Sequence, residues 1–242
     1  MTFWDHLDDL RKSIYHILAA LVVVAVGLFC IKDFLFENVI LAPSKSDFLI
    51  YRLFGADFAL SLINVEVTAQ FLVHIKVTLI CAVIITVPYI IYKVWDFIAP
   101  ALYENEKKAV RGAFSFASIL FYIGLAVGYF VVFPLMLNFF AGYQVSEDIQ
   151  NAFTLNSYIS LLTSMVLVFG IVFEFPTVVA ALSAIGLVTK DTLVRIRKYA
   201  FCATMILAAV ITPSGDPFSM LVVAFPLYLL YEFSILICRR SR

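Results

Sequence analysis

Residues 112–146 read GAFSFASILFYIGLAVGYFVVFPLMLNFFAGYQVS, thirty-five positions from Gly112 to Ser146 without one charged side chain. A helix crosses the bilayer core with roughly 20 mostly apolar residues. This stretch therefore predicts one full crossing and part of the loop beyond it. Working outward, Ser13–Ile31 carries no formal charge and reads as the first span, and Ala69–Tyr92 as the second, interrupted only by Lys76. Tyr158–Leu187 reads as the fourth, with Glu174 and Pro176 inside it. Tyr199–Pro213 and Pro217–Cys238 read as the fifth and sixth. The fifth is short for a crossing, so it is expected where the bilayer is thinned. The expectation is an all-α, six-helix integral membrane protein, one domain over residues 1–242.

Composition agrees. Hydrophobic residues make up 63% and charged residues 14%, with a mean hydropathy of +1.01. Soluble domains are about half apolar and about a quarter charged, and one soluble core of this length would not hide so much apolar surface. The formal net charge of +0 sets up no global field toward nucleic acid, so useful charge is local. Cys30, Cys81, Cys202 and Cys238 all lie in apolar stretches without a C-x-x-C pair, and His6, His16 and His74 are scattered. They read as buried small residues and isolated rings rather than disulfides, metal ligands or an active site. No enzyme activity, metal or cofactor is expected.

The N-terminus lacks the positive start of a cleavable signal, because Asp5, Asp8 and Asp9 occupy that place. Thr2 and Asp5 have capping-box spacing, and Phe3, Leu7, Leu10 and Ile14 recur at helical intervals. A short amphipathic helix at the membrane surface is expected, running into the first span, with Phe3 and Trp4 near the headgroups.

Orientation follows from the connections. Thirteen of the seventeen Lys and Arg fall on the side holding Arg11, Lys107, Arg197 and Arg242. Lys32, Lys45 and Arg52 fall on the other, and Lys76 lies within a span. The richer side is cytoplasmic by the positive-inside rule, which puts both termini inside. Outside, Asp33–Thr68 is long enough for short helices along the membrane. Thr212-Pro213-Ser214-Gly215-Asp216-Pro217 reads as a tight turn joining the last two helices into a hairpin.

Charges inside spans are costly and are functional candidates by default. Glu174 lies deep in the fourth span, two residues before the kinking Pro176. Two readings stay open for it, a carboxylate in a watered notch or a protonated group bonded to a neighbouring helix. Lys76, about two turns from the outer end of its helix, is expected to snorkel outward. Glu232 is expected to pair with Arg239 or Arg240.

The inner connection from Lys93 to Arg111 contains Trp95-Asp96-Phe97-Ile98-Ala99-Pro100-Ala101-Leu102-Tyr103-Glu104-Asn105-Glu106. Physics alone reads it as an interfacial aromatic belt with a solvated charge run. The competing reading is a dock for a peptide that is basic and then greasy.

Phe97 to Tyr103, with Glu106 after it, resembles the signature of the TatC family of twin-arginine translocase subunits. His6-Leu7-Asp8-Asp9-Leu10-Arg11 is similar to the family's H-L-x-E-L-R, and Phe169 to Pro176 to its F-G-x-x-F-E-x-P. Leu187-Val188-Thr189 to Tyr199, with Ile211-Thr212-Pro213, resembles its fifth-helix region. The resemblance implies a cup-shaped six-helix bundle with no enzyme activity and no cofactor. It implies recognition of twin-arginine signal peptides on the cytoplasmic face and homo-oligomeric assembly with single-span TatA and TatB partners. Folded proteins then cross the inner membrane using the proton-motive force. By that resemblance Asp9, Phe97 and Glu106 form the signal site, with Asp8, Pro100 and Tyr103 as further contributors. Glu174 is an intramembrane functional group, and Thr212, Asp216 and Met220 mark a partner-helix contact region. A guanidinium meets a carboxylate through bidentate, charge-assisted bonds that lysine reproduces poorly. Asp9 stands where the family has Glu, the turn reads T-P-S-G-D-P rather than T-P-P-D, and Met220 stands at a family polar position.

Two other classes compete. A proton-coupled secondary transporter predicts several ionisable groups converging at mid-depth, whereas the chain offers one clear case. A purely structural membrane scaffold explains the hydrophobicity but not the aromatic–acidic connection. Orientation is testable directly. In a background without the native cysteines, Asp47→Cys is expected to label from outside sealed vesicles with an impermeant thiol reagent, and Lys107→Cys only from inside. Labelling of both from one side overturns the orientation.

Overall fold

A peptide group in hydrocarbon has no water to bond to, so its partner has to come from the chain, and a helix supplies it locally. In the computed structural model the described residues are 3–48, 51, 60–101, 104–146, 151–212 and 215–238. At 3–6, 101, 104–106, 108, 109 and 113 the backbone alone is described. Thr2, Leu102, Tyr103, Pro213, Ser214, Arg239 and Arg240 lie outside these residues.

The long helices are α1 (Phe3–Cys30), α2 (Ala69–Ile98), α3 (Glu104–Val127), α4 (Phe133–Gly142), α5 (Leu155–Val172), α6 (Phe175–Ala184), α7 (Lys190–Ile211) and α8 (Pro217–Ile237). A π-helical turn, Gly128–Val132, joins α3 to α4. Five runs are long and apolar enough to cross a membrane: Leu7–Cys30, Ala69–Ile98, Val110–Gly142, Leu155–Ala184 and Pro217–Ile237. Apolar side chains cover their outer faces, with Val23 72% and Leu236 73% exposed, as expected where lipid is the solvent. α7 is not among the five. Its first three turns carry Lys190, Asp191, Arg195, Arg197 and Lys198, and only Tyr199–Ile211 is apolar throughout. The amphipathic start expected as a surface helix is the beginning of α1 itself. No Gly or Pro falls between Asp9 and Ser13, and no turn separates that stretch from the span.

The chain divides into two compact units, residues 1–100 with 137–163, and residues 101–136 with 164–242. In the first, α1 packs along α2, and the Phe29 ring stacks on His74 with centroids 4.1 Å apart. The long outer connection folds into short pieces, a turn at Lys32–Phe34, a π-helical turn at Leu35–Ile40 and a 3-10 turn at Ala42–Ser44. Side chains satisfy carbonyls that these breaks release. Tyr158 donates to Ile40 O at 2.8 Å and Tyr51 to Pro43 O at 3.0 Å. Asn151 Nδ2 donates to the carbonyls of Phe140, Ala141 and Tyr143. Two short strands, β1 (Leu62–Ile63) and β2 (Phe153–Thr154), pair in parallel with Leu62 opposite Phe153. Composition gave no hint of that ladder.

In the second unit α3 approaches α5 through Gly124-Leu125-Ala126-Val127-Gly128. A Cβ at Gly124 would fall on the Phe169 carbonyl and lie 2.7 Å from Phe173 Cβ; one at Gly128 would lie 3.0 Å from Met165 O. Small residues four apart let backbones close where lipid gives helices no hydrophobic drive to associate. α6 ends in a Schellman motif, Leu187 N donating to Leu182 O at 3.0 Å and Gly186 N to Ser183 O at 3.2 Å. Gly186 takes φ +79° there, a conformation that costs glycine least. α8 packs on α6 and α7, its start capped by Asp216 accepting from Ser219 N at 2.8 Å. Gly215, at φ +60°, donates to Thr212 O at 3.4 Å across the expected turn.

Because the atom facing Gly124 is backbone, it cannot rotate aside. Gly124→Val is expected to lower stability by about 1–3 kcal/mol, the usual cost of overpacking. Thermal unfolding in detergent measures it, with Ala126→Val, on an exposed position, as the variant expected to match wild type. Equal midpoints for both variants would refute the close-approach account.

Candidate functional site

The antiparallel pair α1–α2 fixes where the first candidate residues lie. Phe29 meets His74 at one end. At about 1.5 Å per residue, Asp9 lies about 30 Å back along α1, and Phe97 about 35 Å onward along α2. Both therefore sit at the other end of the pair. Asp8 and Asp9 are exposed, Phe97 is half-buried and Pro100 is exposed. α2 stops because Pro100 has no N–H to continue the ladder. Ala99 N–H donates to Trp95 O, and a 3-10 turn, Ala99–Ala101, follows. Just before it, Lys93 Nζ lies 5.6 Å from the Tyr89 ring centroid and 5.8 Å from that of Tyr92. A cation is thereby laid over two aromatic rings just before the connection.

Glu106 is in the second unit, on the first turn of α3, where a carboxylate suits the positive end of the helix dipole. Its backbone is helical and its side chain lies outside the described atoms; Tyr103 lies outside altogether.

Glu174 occupies the junction of α5 and α6. The ladder shortens there, Glu174 N bonding to Ile171 O at 3.1 Å, because Pro176 in the first turn of α6 has no N–H to offer. Glu174 stands at the N-cap without a side-chain capping bond. Its Oε1 is buried with no hydrogen-bond partner among the described residues, as is Thr177 Oγ1 one turn on. The backbone of Phe121 also faces the carboxyl. The Thr177 hydroxyl and the Phe121 backbone thus both lie beside the carboxyl, and His74 Nε2 and Thr78 Oγ1 are likewise buried without a partner among the described residues.

Thr212, Asp216 and Met220 fall at the α7–α8 turn. Thr212 is buried and donates to Ala208 O at 3.0 Å, and Asp216 caps α8. Each closes the end of its own helix, and Met220 is half-buried.

Glu232 pairs with Arg197, while its expected partners Arg239 and Arg240 lie outside the described residues. Arg197 Nε approaches Oε1 at 2.8 Å and Nη2 donates to Oε2 at 2.9 Å, while Tyr228 donates to Oε1 at 2.9 Å. The reason is register. Arg197 lies fourteen residues before the end of α7 and Glu232 fifteen after the start of α8, so each sits about 21–23 Å from the turn. The hairpin turn in the sequence was the missed signal. Lys76 is exposed as expected, and its Nζ also donates to Ser160 Oγ of α5 at 3.1 Å. Among the described residues no cluster of three metal-ligating side chains occurs.

These features define a polytopic α-helical membrane protein whose helix ends and breaks carry its polar groups. The family model described as TatC, the Sec-independent protein translocase protein, matches residues 5–226. The chain belongs to the TatC family. It is 36% identical to the Sec-independent protein translocase protein TatC of Blattabacterium over 98% of this chain and 94% of that one. The TatC protein of Escherichia coli is 34% identical over 97% of this chain and 86% of that one. Crystal structures of the twin-arginine translocase receptor TatC superpose with TM-scores of 0.77 and 0.80, both at 31% identity. The second, in DDM, is covered over 99% of its length by 97% of this chain.

Proposed function

We propose that this chain is the signal-peptide-recognising core subunit of a twin-arginine translocase. It acts as one membrane domain of six crossings arranged as a cup, in a bacterial-type inner membrane, with both termini cytoplasmic. It catalyses no reaction and holds no cofactor. Single-span partners of the TatA and TatB type join it, several copies assemble, and folded precursors cross at the expense of the proton-motive force. The observation that carries this reading is the family match along nearly the whole chain, together with the acidic and aromatic residues at the Asp9–Phe97 end of the α1–α2 pair. A proton-coupled transporter gains no comparable support, since it calls for several ionisable groups at mid-depth and the chain offers one clear case, Glu174.

Asp9 and Glu106 receive the two arginines of the signal peptide, Phe97 lines the same site, and Asp8, Pro100 and Tyr103 border it. Thr212, Asp216 and Met220 meet a partner helix. Glu174 serves transport rather than folding, a reading supported by a carboxyl set beside Pro176 at the break between α5 and α6. Glu174→Gln keeps shape and hydrogen bonding but cannot ionise. It is expected to insert and bind precursor normally while exporting less. Wild-type export by Glu174→Gln would remove any role for its charge.

Signal recognition is tested at Glu106. A hydrogen bond to a charged group is worth roughly 1.5–3 kcal/mol, and about 1.4 kcal/mol is tenfold in affinity. Glu106→Gln is therefore expected to weaken precursor binding about tenfold or more at unchanged protein level, and Glu106→Lys further. Glu104→Gln, two positions away on another helical face, is expected to bind as wild type. The measurement is precursor crosslinking to membranes carrying each variant. Equal crosslinking for the two Gln variants would reduce the connection to an interfacial belt.

A further inference from the structure

A threonine inside a helix can return its hydroxyl to the carbonyl one turn back, and three buried threonines do so here. Thr86 donates to Ala82 O at 2.7 Å, Thr163 to Ile159 O at 2.6 Å and Thr212 to Ala208 O at 3.0 Å. Thr177 is equally buried, at 8% exposure, yet its Oγ1 bonds to no backbone carbonyl among the described residues. The reason is local. Thr177 is the third residue of α6, so the carbonyl four positions back is that of Phe173, ahead of the N-cap Glu174 and part of the break. The side chain three positions back is Glu174 itself. Glu174 keeps helical dihedrals, φ −74° and ψ −12°, so the spacing at which side chains on one helix face meet applies to this pair. The Thr177 hydroxyl accordingly lies beside the carboxyl.

α3 closes the other side. It packs along α6, and the backbone of Phe121 faces the carboxyl. Gly170 permits that approach, since a Cβ there would lie 2.9 Å from the Phe121 ring. The carboxyl is therefore bracketed by a hydroxyl on its own helix and by the backbone of α3. A threonine hydroxyl carries one rotating donor. It can donate to either oxygen of a carboxylate and to the carbonyl oxygen of a carboxylic acid, so it fits both forms of the group. We propose that Thr177 is a positioning residue for Glu174, its hydroxyl holding the carboxyl against the α3 backbone whether or not the acid is ionised. This role rests on the reading that Glu174 serves transport, and it names the group that aims the carboxyl.

Infrared spectroscopy of the full-length protein in detergent reads the contact directly. At low pH the carboxyls are protonated, and subtracting the spectrum of Glu174→Gln isolates the Glu174 carbonyl stretch. A hydrogen bond to the carbonyl oxygen lowers that frequency. Thr177→Val keeps the branched shape without the donor, so the band is expected to move to higher frequency. Export is expected to fall about three- to tenfold, the effect of one hydrogen bond, with precursor crosslinking unchanged. Thr177→Ser returns the hydroxyl and is expected to restore both band and export. Thr78→Val, at another buried threonine whose Oγ1 has no partner among the described residues, is expected to leave the band in place. A band that Thr177→Val does not move overturns the contact, as does one that Thr78→Val moves equally. Wild-type export by Thr177→Val with a shifted band overturns the positioning role. Should Thr177→Val fail to fold, Thr177→Ala decides by the same two readouts. Wild-type export by Glu174→Gln, by contrast, removes the transport reading and the role with it, while the band still reports whether the contact exists.

Discussion

Hydrocarbon offers a peptide group no hydrogen-bond partner, and the rest of this structure depends on that constraint. It makes the chain helical wherever it is apolar and demands a substitute wherever the helix is interrupted. The substitutes are side chains from elsewhere in the fold. Tyr51 and Tyr158 bond the carbonyls of Pro43 and Ile40, and Asn151 collects the three at the end of α4. Three termini are closed locally, by the Schellman motif at Gly186 and the caps at Thr189 and Asp216. Burying the Glu174 carboxyl at the break between α5 and α6 is a cost the fold tolerates.

The same solvent decides how helices associate. Lipid does not squeeze apolar helices together, so contact comes from close packing and a few polar links. Gly124, Gly128 and Gly170 supply the first within the second unit. The Arg197–Glu232 pair and the bond from Tyr231 to Leu193 O supply the second between α7 and α8. The Arg197–Glu232 pair is partly exposed, with side chains at 46% and 32%. Its value is more in fixing the register of the two helices than in stability, since exposed pairs contribute little.

What the sequence disclosed follows from which signals are local. Hydropathy is summed along one segment, so the long helices were legible, as were the break before Pro176 and the turn at Gly215. The signature residues Phe97, Pro100 and Glu106 were legible through the family resemblance, because they are contiguous. Contacts between segments were not. The partner of Glu232 required measuring both arms of the hairpin from their common turn. The Leu62–Phe153 ladder joins two-residue strands about ninety positions apart, too short to leave a period. The G-x-x-x-G at Gly124 was present in the letters, but its use depended on which helix lay opposite. α1 shows the reverse case, where a change from amphipathic to apolar composition suggested two elements and the backbone made one.

The hairpin of α7 and α8 also bears on how the chain enters the membrane during synthesis. The thirteen residues Tyr199–Ile211 fall short of the roughly 20 that a helix needs to partition by its own hydropathy, and the preceding turns carry five charges. α8 runs to 21 residues at high hydropathy. The turn that joins them is closed by Gly215 and capped by Asp216, too short to let the two arms part. As a crossing, α7 would therefore lean on the longer α8, to which Tyr231 and the fork of Arg197 and Glu232 join it.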